Sequence, residues 1–198
     1  MSYTEIIAFH KDTGTPYMEE EIKNSWRGAM NVWSEIEKRY LPEFIPDYYK
    51  ELGCKTAEDI RRRYGFTPTR TSSIDTSAMQ EIWDLVNDKK LTLDERITLC
   101  TTFDKCLVKR ENIQMVIDAF RNFNGDENCS LNEQADILEE FLKDENCMAV
   151  GWNQTSVNCC IWTCFEYDEE NEEEIPYNCI TGDYHFWLEF IDDENKEK

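Results

Sequence analysis

Glycine is scarce, with seven in 198 residues, and none of them builds a Gly-rich phosphate loop. That removes the usual nucleotide-cradling turns from consideration. Histidine is scarcer still, with only His10 and His185. A Cys–His nucleophile pair would have to draw on one of them, and Cys179, Asp183 and His185 are near each other in sequence without any recognisable nucleophile turn. No Cys-x-x-Cys occurs, which weakens a zinc reading of Cys159, Cys160, Cys164 and Cys179. No apolar run approaches the ~18 residues of a spanning helix. Met1-Ser2-Tyr3-Thr4-Glu5 has no basic leader, so no secretory signal is expected at this end.

Basic residues are nearly missing from the C-terminal part. Residues 126–198 hold 21 acidic and 3 basic side chains, whereas residues 1–125 hold 21 acidic and 18 basic ones. The net charge of −21 therefore resides mostly in the last third. Such a field repels nucleic acid and anionic lipid and attracts cations and basic surfaces. An acidic face that only confers solubility is the simpler account of the same charge.

What is present is enough for a core. The apolar share is 40% and aromatics are 13%, which excludes a disordered chain. Nine cysteines, an odd number, read as reduced thiols in a cytoplasmic protein. The Asn-x-Ser/Thr triplets at Asn128 and Asn153 then have no role as glycan acceptors.

The chain is organised around Asn146–Tyr167, with helical patterns before it and strand patterns after it. Tyr3–Phe9 alternates as a strand, and Pro16–Met18 starts a short return at an edge. Ile22, Trp26, Ala29, Met30, Trp33, Ile36 and Tyr40 predict a helix over 22–40, ended by Pro42. Residues 41–55 form a loop with exposed Phe44, Tyr48 and Tyr49. Thr56 with Asp59, Thr92 with Glu95 and Ser130 with Glu133 are spaced as capping boxes that open helices. Further helices carry Met79–Val86 and Ile113–Phe123, and Cys106–Val108 reads as a short strand. The last two helices form a hairpin laid on a sheet built from Cys147–Gly151, Asn158–Tyr167, Ile175–Ile180 and Tyr184–Ile191.

The expected class is α+β. Helices of the N-terminal and central parts pack on a small, mostly antiparallel sheet made of the C-terminal strands and the N-terminal one. The expected organisation is a strand-plus-helix unit over 1–64, a Thr/Ser/Pro-rich linker over 65–75, a helical-hairpin and sheet unit over 76–191, and a frayed acidic tail over 192–198. A single compact domain is the alternative.

Three features carry candidate chemistry. A calcium loop over Asn122–Glu133 would use Asn122, Asn124, Asp126 and Glu133, but Glu127 stands where the turn needs glycine, so no metal or other cofactor is assigned. The uncharged stretch Trp152, Asn153, Gln154, Thr155, Ser156 and Asn158 reads as a polar turn able to hold a small ligand, with Trp152 as a wall. The simpler account is a structural turn. Finally, six of the seven residues Asp168–Glu174 are acidic, and their mutual repulsion predicts an exposed, mobile hairpin loop, whereas a mimic of nucleic acid needs its charges in a fixed array.

The composition is similar to that of small acidic inhibitors encoded by phages and mobile elements, nucleic-acid mimics among them. The leading expectation is a cytoplasmic interaction protein without enzymatic activity that docks on a basic, nucleic-acid-binding surface of an enzyme. It would use Glu166, Asp168, Glu169, Glu170, Glu172, Glu173 and Glu174, with Asp192, Asp193 and Glu194 in support. The alternative is a ligand-binding protein or small enzyme built on the 152–158 turn. Arg61-Arg62-Arg63, the only dense basic cluster, fits an internal partner for the acidic half at least as well as a phosphate site.

Overall fold

The computed structural model describes residues 3–23, 25–72, 76–103, 105–124, 130–156, 162, 165–181 and 185–191. The fold is α+β, with a mostly antiparallel five-stranded sheet and a separate two-stranded one. No helix among the described residues is long and apolar enough to cross a membrane.

The sheet is built on β1 (Tyr3–His10), which lies between β2 (Pro16–Lys23) and β4 (Cys147–Ser156). Beyond β4 come β3 (Cys106–Lys109) and then β7 (Phe186–Trp187), which runs parallel to β3 while the other pairs are antiparallel. A strand with neighbours on both sides and cover on both faces must be apolar on both faces. Ile6 and Ala8 enter the larger core beneath the helices, while Ile7 and Phe9 enter a smaller core on the opposite face.

The larger core collects Val32, Trp33 and Ile36 from α1 (Ser25–Tyr40), Ile97 and Leu99 from α5 (Leu93–Thr101), Val116 and Phe120 from α6 (Ile113–Asn122), and Leu138 and Phe141 from α7 (Leu131–Leu142). It runs from Ile6 to Ile191. Between α1 and α5 lie α2 (Asp47–Glu51), α3 (Ala57–Tyr64) and α4 (Thr76–Asp84). The smaller core is closed by Trp162 and Cys179, with Tyr177, Ile180 and Trp187 against them. Cys179 N–H donates to the Gly14 carbonyl at 3.0 Å, which ties this segment across the β1–β2 turn. Gly14 sits at φ +65°, and a Cβ there would lie 2.0 Å from Asn178 Oδ1.

Several expectations need correction. Ile22 belongs to β2, paired with Thr4, and α1 begins at Ser25, because the sheet ladder outcompetes the helical stripe at that position. The return strand expected to begin at Pro16–Met18 does begin there, at the sheet edge, and is long, running eight residues to Lys23. Ser130 has φ 53° and makes no side-chain cap hydrogen bond, since capping requires extended backbone at that position. The boxes at Thr56–Asp59 and Thr92–Glu95 are both formed. Within Tyr184–Ile191 only Phe186–Trp187 is strand, followed by a helical turn over 189–191, and Tyr184 lies outside the described residues. Phe165–Asp168 is a strand but pairs in its own hairpin and not in the main sheet.

The stretch 152–156 is strand and not a turn, and residues 157 and 158 lie outside the described residues. β4 continues through Ser156, and Trp152, Asn153 and Gln154 are 0%, 1% and 3% exposed. Their polar groups are satisfied by the helices packed on the sheet and by the neighbouring strand β1. Trp152 Nε1 donates to Gln134 Oε1 at 3.1 Å, and Gln154 Nε2 donates to the Thr101 carbonyl at 2.6 Å. Thr4 Oγ1 donates to Gln154 Oε1 at 2.8 Å. Uncharged amides that read as turn formers are here the buried polar rungs of a central strand.

Candidate interaction surface

The acidic stretch forms a hairpin of β5 (Phe165–Asp168) and β6 (Glu173–Pro176), in the register Phe165↔Pro176, Glu166↔Ile175, Tyr167↔Glu174 and Asp168↔Glu173. Asp168 organises its turn. One carboxylate oxygen accepts the backbone N–H of Glu170 at 2.9 Å and of Asn171 at 3.3 Å, and the other accepts Asn171 Nδ2 at 2.7 Å. The Asn171 amide, then these two backbone donors, hold the Asp168 carboxyl below the usual carboxylate range. Glu172 adopts φ 55°, the left-handed conformation that brings the chain back into β6.

Glu169, Glu170, Glu172, Glu173 and Glu174 are all exposed. Like charges at this density repel, so the turn is held by the side chain of Asp168 and the ladder, not by the glutamates. Glu166 contributes its backbone to β5. Asp192, Asp193 and Glu194 lie outside the described residues, as does Asn158; Thr155 and Ser156 end β4. Of the expected alternative site, only three side chains are described. These, Trp152, Asn153 and Gln154, are core, and Trp152 offers no wall to a ligand.

Two exposed rings share the hairpin, Phe165 at 61% and Tyr167 at 62% exposure. Sequence alternation could have marked them, since i and i+2 in a strand face the same way.

A second carboxylate group could not be read from sequence, because it depends on register. Glu5 of β1 pairs with Glu21 of β2, next to the pair Ile7–Glu19, so Glu5, Glu19 and Glu21 share a sheet face with oxygens within 4.8 Å of one another. Glu5 is 4% exposed and accepts Asn153 Nδ2 at 2.6 Å. Burial, then Glu5 and Glu21, push the Glu19 carboxyl above its ordinary range.

Among the described residues the basic cluster forms no ion pair with the acidic hairpin. Arg61 and Arg62 pair with Glu58 and Asp59 one turn earlier in α3, and Arg63 donates to the Leu52 carbonyl. Beside them Tyr49 touches Tyr48, Tyr64 and Phe66 at ring distances of 5.1, 5.1 and 5.6 Å. A cavity of about 600 Å³ lies between α1 and residues 67–69, with Asn31, Leu41, Phe44 and Pro68 in its wall. The carboxylate of Glu37, which also lines it, is engaged by Arg70, a buried ion pair at 3.0 Å.

Cys54, Cys100, Cys106, Cys147 and Cys179 are all buried. Burial pushes the Cys100 thiol up to about 12 and raises Cys106 well above the ordinary thiol value. These thiols are poor nucleophiles. Cys179 donates to the Trp162 carbonyl at 3.3 Å, and His185 lies against the Trp162 ring at 4.1 Å. Cys159, Cys160, Cys164 and Asp183 lie outside the described residues.

Compared with known protein families, curated proteins and solved structures, the chain matches none.

Proposed function

We infer that this chain is an acidic interaction protein whose β5–β6 hairpin docks on a basic, nucleic-acid-binding surface of a partner enzyme. The observation that carries this reading is the ordered hairpin itself. Exposed carboxylates on a free loop would have to be ordered at a cost on binding, whereas Asp168 and the four-residue ladder hold the backbone that bears them. Carboxylates carried on such a frame can occupy the places of phosphates along a cationic groove. The long-range field of a −21 chain would speed encounter with such a surface. The inhibitor and anti-defence roles belong to this same reading, as does a cytoplasmic location.

The test is capture from lysate on the immobilised full chain at low and high salt, with mass spectrometry. A nucleic-acid enzyme retained at low salt and released at high salt is expected. The variant carrying Glu→Gln at Glu169, Glu170, Glu172, Glu173 and Glu174 should lose it. Capture that survives the five substitutions unchanged would refute the electrostatic reading.

A further inference from the structure

We propose that the surface this hairpin fits is a groove for single-stranded nucleic acid, with the rings of Phe165 and Tyr167 standing in for bases. The proposal rests on the docking reading above and narrows its partner. Phe165 and Tyr167 occupy alternate positions of β5, so they project from one face about 6.7 Å apart. Across the ladder on that face stand Pro176 opposite Phe165 and Glu174 opposite Tyr167. The face therefore presents ring, ring and carboxylate together, and the glutamates of the turn continue from its end.

Surfaces that bind duplexes need mainly cations, because the bases are stacked inside and the phosphates are what they touch first. Grooves for single strands add aromatic platforms on which unpaired bases stack. An acidic hairpin that served only solubility, or that copied only a phosphate row, would have no use for two rings more than half in water. Both are exposed at about 60% on the most acidic part of the chain. Anions interleaved with flat π faces are the chemistry of an unpaired strand.

The experiment is competition in two arms. The full chain is titrated against labelled oligo(dT) bound to a purified OB-fold single-strand-binding protein, and against a labelled duplex bound to a basic duplex-binding protein. Displacement of oligo(dT) at a concentration at least tenfold lower than that needed for the duplex is expected. Phe165→Ala with Tyr167→Ala should weaken the first arm about a hundredfold, roughly tenfold per lost stack. Phe165→Leu with Tyr167→Leu keeps apolar, strand-compatible side chains and should be nearly as weak, because the planar face is gone. Far-ultraviolet circular dichroism verifies that both variants fold. If the duplex is displaced as readily as oligo(dT), or if either double variant competes like the parent, the single-strand assignment is wrong while docking on basic surfaces stands. Displacement in neither arm removes both.

Discussion

Substituting Gly151 by alanine tests how the second face of the sheet is closed. Gly151 stands in β4 between Ile7 of β1 and Leu107 of β3. A Cβ there would lie 2.9 Å from Trp162 Cζ2, 3.0 Å from Phe9 Cε2 and 3.2 Å from Leu107 Cδ2. None of these neighbours has room to retreat. Trp162 is 0% exposed, its Nε1 donates to the Trp152 carbonyl at 3.3 Å, and its ring meets Phe9 edge-on at 5.0 Å. Overpacking of this kind costs about 1–3 kcal/mol. Replacing a strand glycine returns about 0.5–1 kcal/mol through lost unfolded-state freedom. The net expectation is a loss of about 1–2 kcal/mol, or roughly 2–8 °C in Tm for a chain of this size. Guanidinium titration followed by tryptophan fluorescence, with a thermal scan by circular dichroism, measures both. In the double variant with Trp162→Phe the two effects should couple by more than about 0.5 kcal/mol, because the smaller ring vacates the space that Cβ needs. A Gly151→Ala protein as stable as the parent would mean that the indole does not rest on this glycine.

Two further perturbations have signs set by the structure. Glu19→Gln should stabilise the fold at pH 7 by a few tenths to about 1 kcal/mol, the scale of like charges across strands. The folded-state pKa of Glu19 is raised, so its penalty is complete above that pKa and fades as pH falls through it toward the unfolded value. Urea melts at pH 7.5 and near pH 4 should thus show the gain only at the higher pH, and an equal gain at both would contradict the repulsion among Glu5, Glu19 and Glu21. Thr92→Ala should cost about 1 kcal/mol by removing the hydroxyl that accepts Glu95 N–H, whereas Ser130→Ala should change the urea midpoint by almost nothing, since Ser130 makes no side-chain cap bond.

Features encoded over three or four residues were legible, and those set by distant pairing were not. The caps at Thr56 and Thr92 are local hydrogen-bond exchanges, so residue type and spacing suffice to find them. Ser130 has the same spacing, yet its left-handed backbone cannot be seen in the letters. Ile22 fits a helical stripe, but its pairing with Thr4 decides otherwise. Trp152–Gln154 looked like a turn because amides satisfied from Glu5, Thr101 and Gln134 leave the same composition as amides satisfied by water. In the candidate surface, the acidic run identified the hairpin loop and strand alternation was enough to place Phe165 and Tyr167 on one face, while the role of Asp168 in the turn and the residues opposite those rings required the register. The carboxylates of Glu5, Glu19 and Glu21 meet only once β1 and β2 are aligned, and their numbering gives no warning of it.

The interior place of β1, between β2 and β4, has a consequence for synthesis. Glu5 and Asn153 are 148 residues apart, so β1 leaves the ribosome about 7–30 s before its second neighbour at ordinary elongation rates. During that interval β1 can pair only with β2, and one row of its backbone donors and acceptors stays open beside apolar Ile6, Ile7 and Phe9. The glutamates at 19, 20 and 21 stand on the β2 side of this nascent ribbon, away from the open row, and like charges there disfavour pairing of β2 with the edge of another chain. The same acidic edge that strains the finished sheet is in this way a safeguard for the unfinished one.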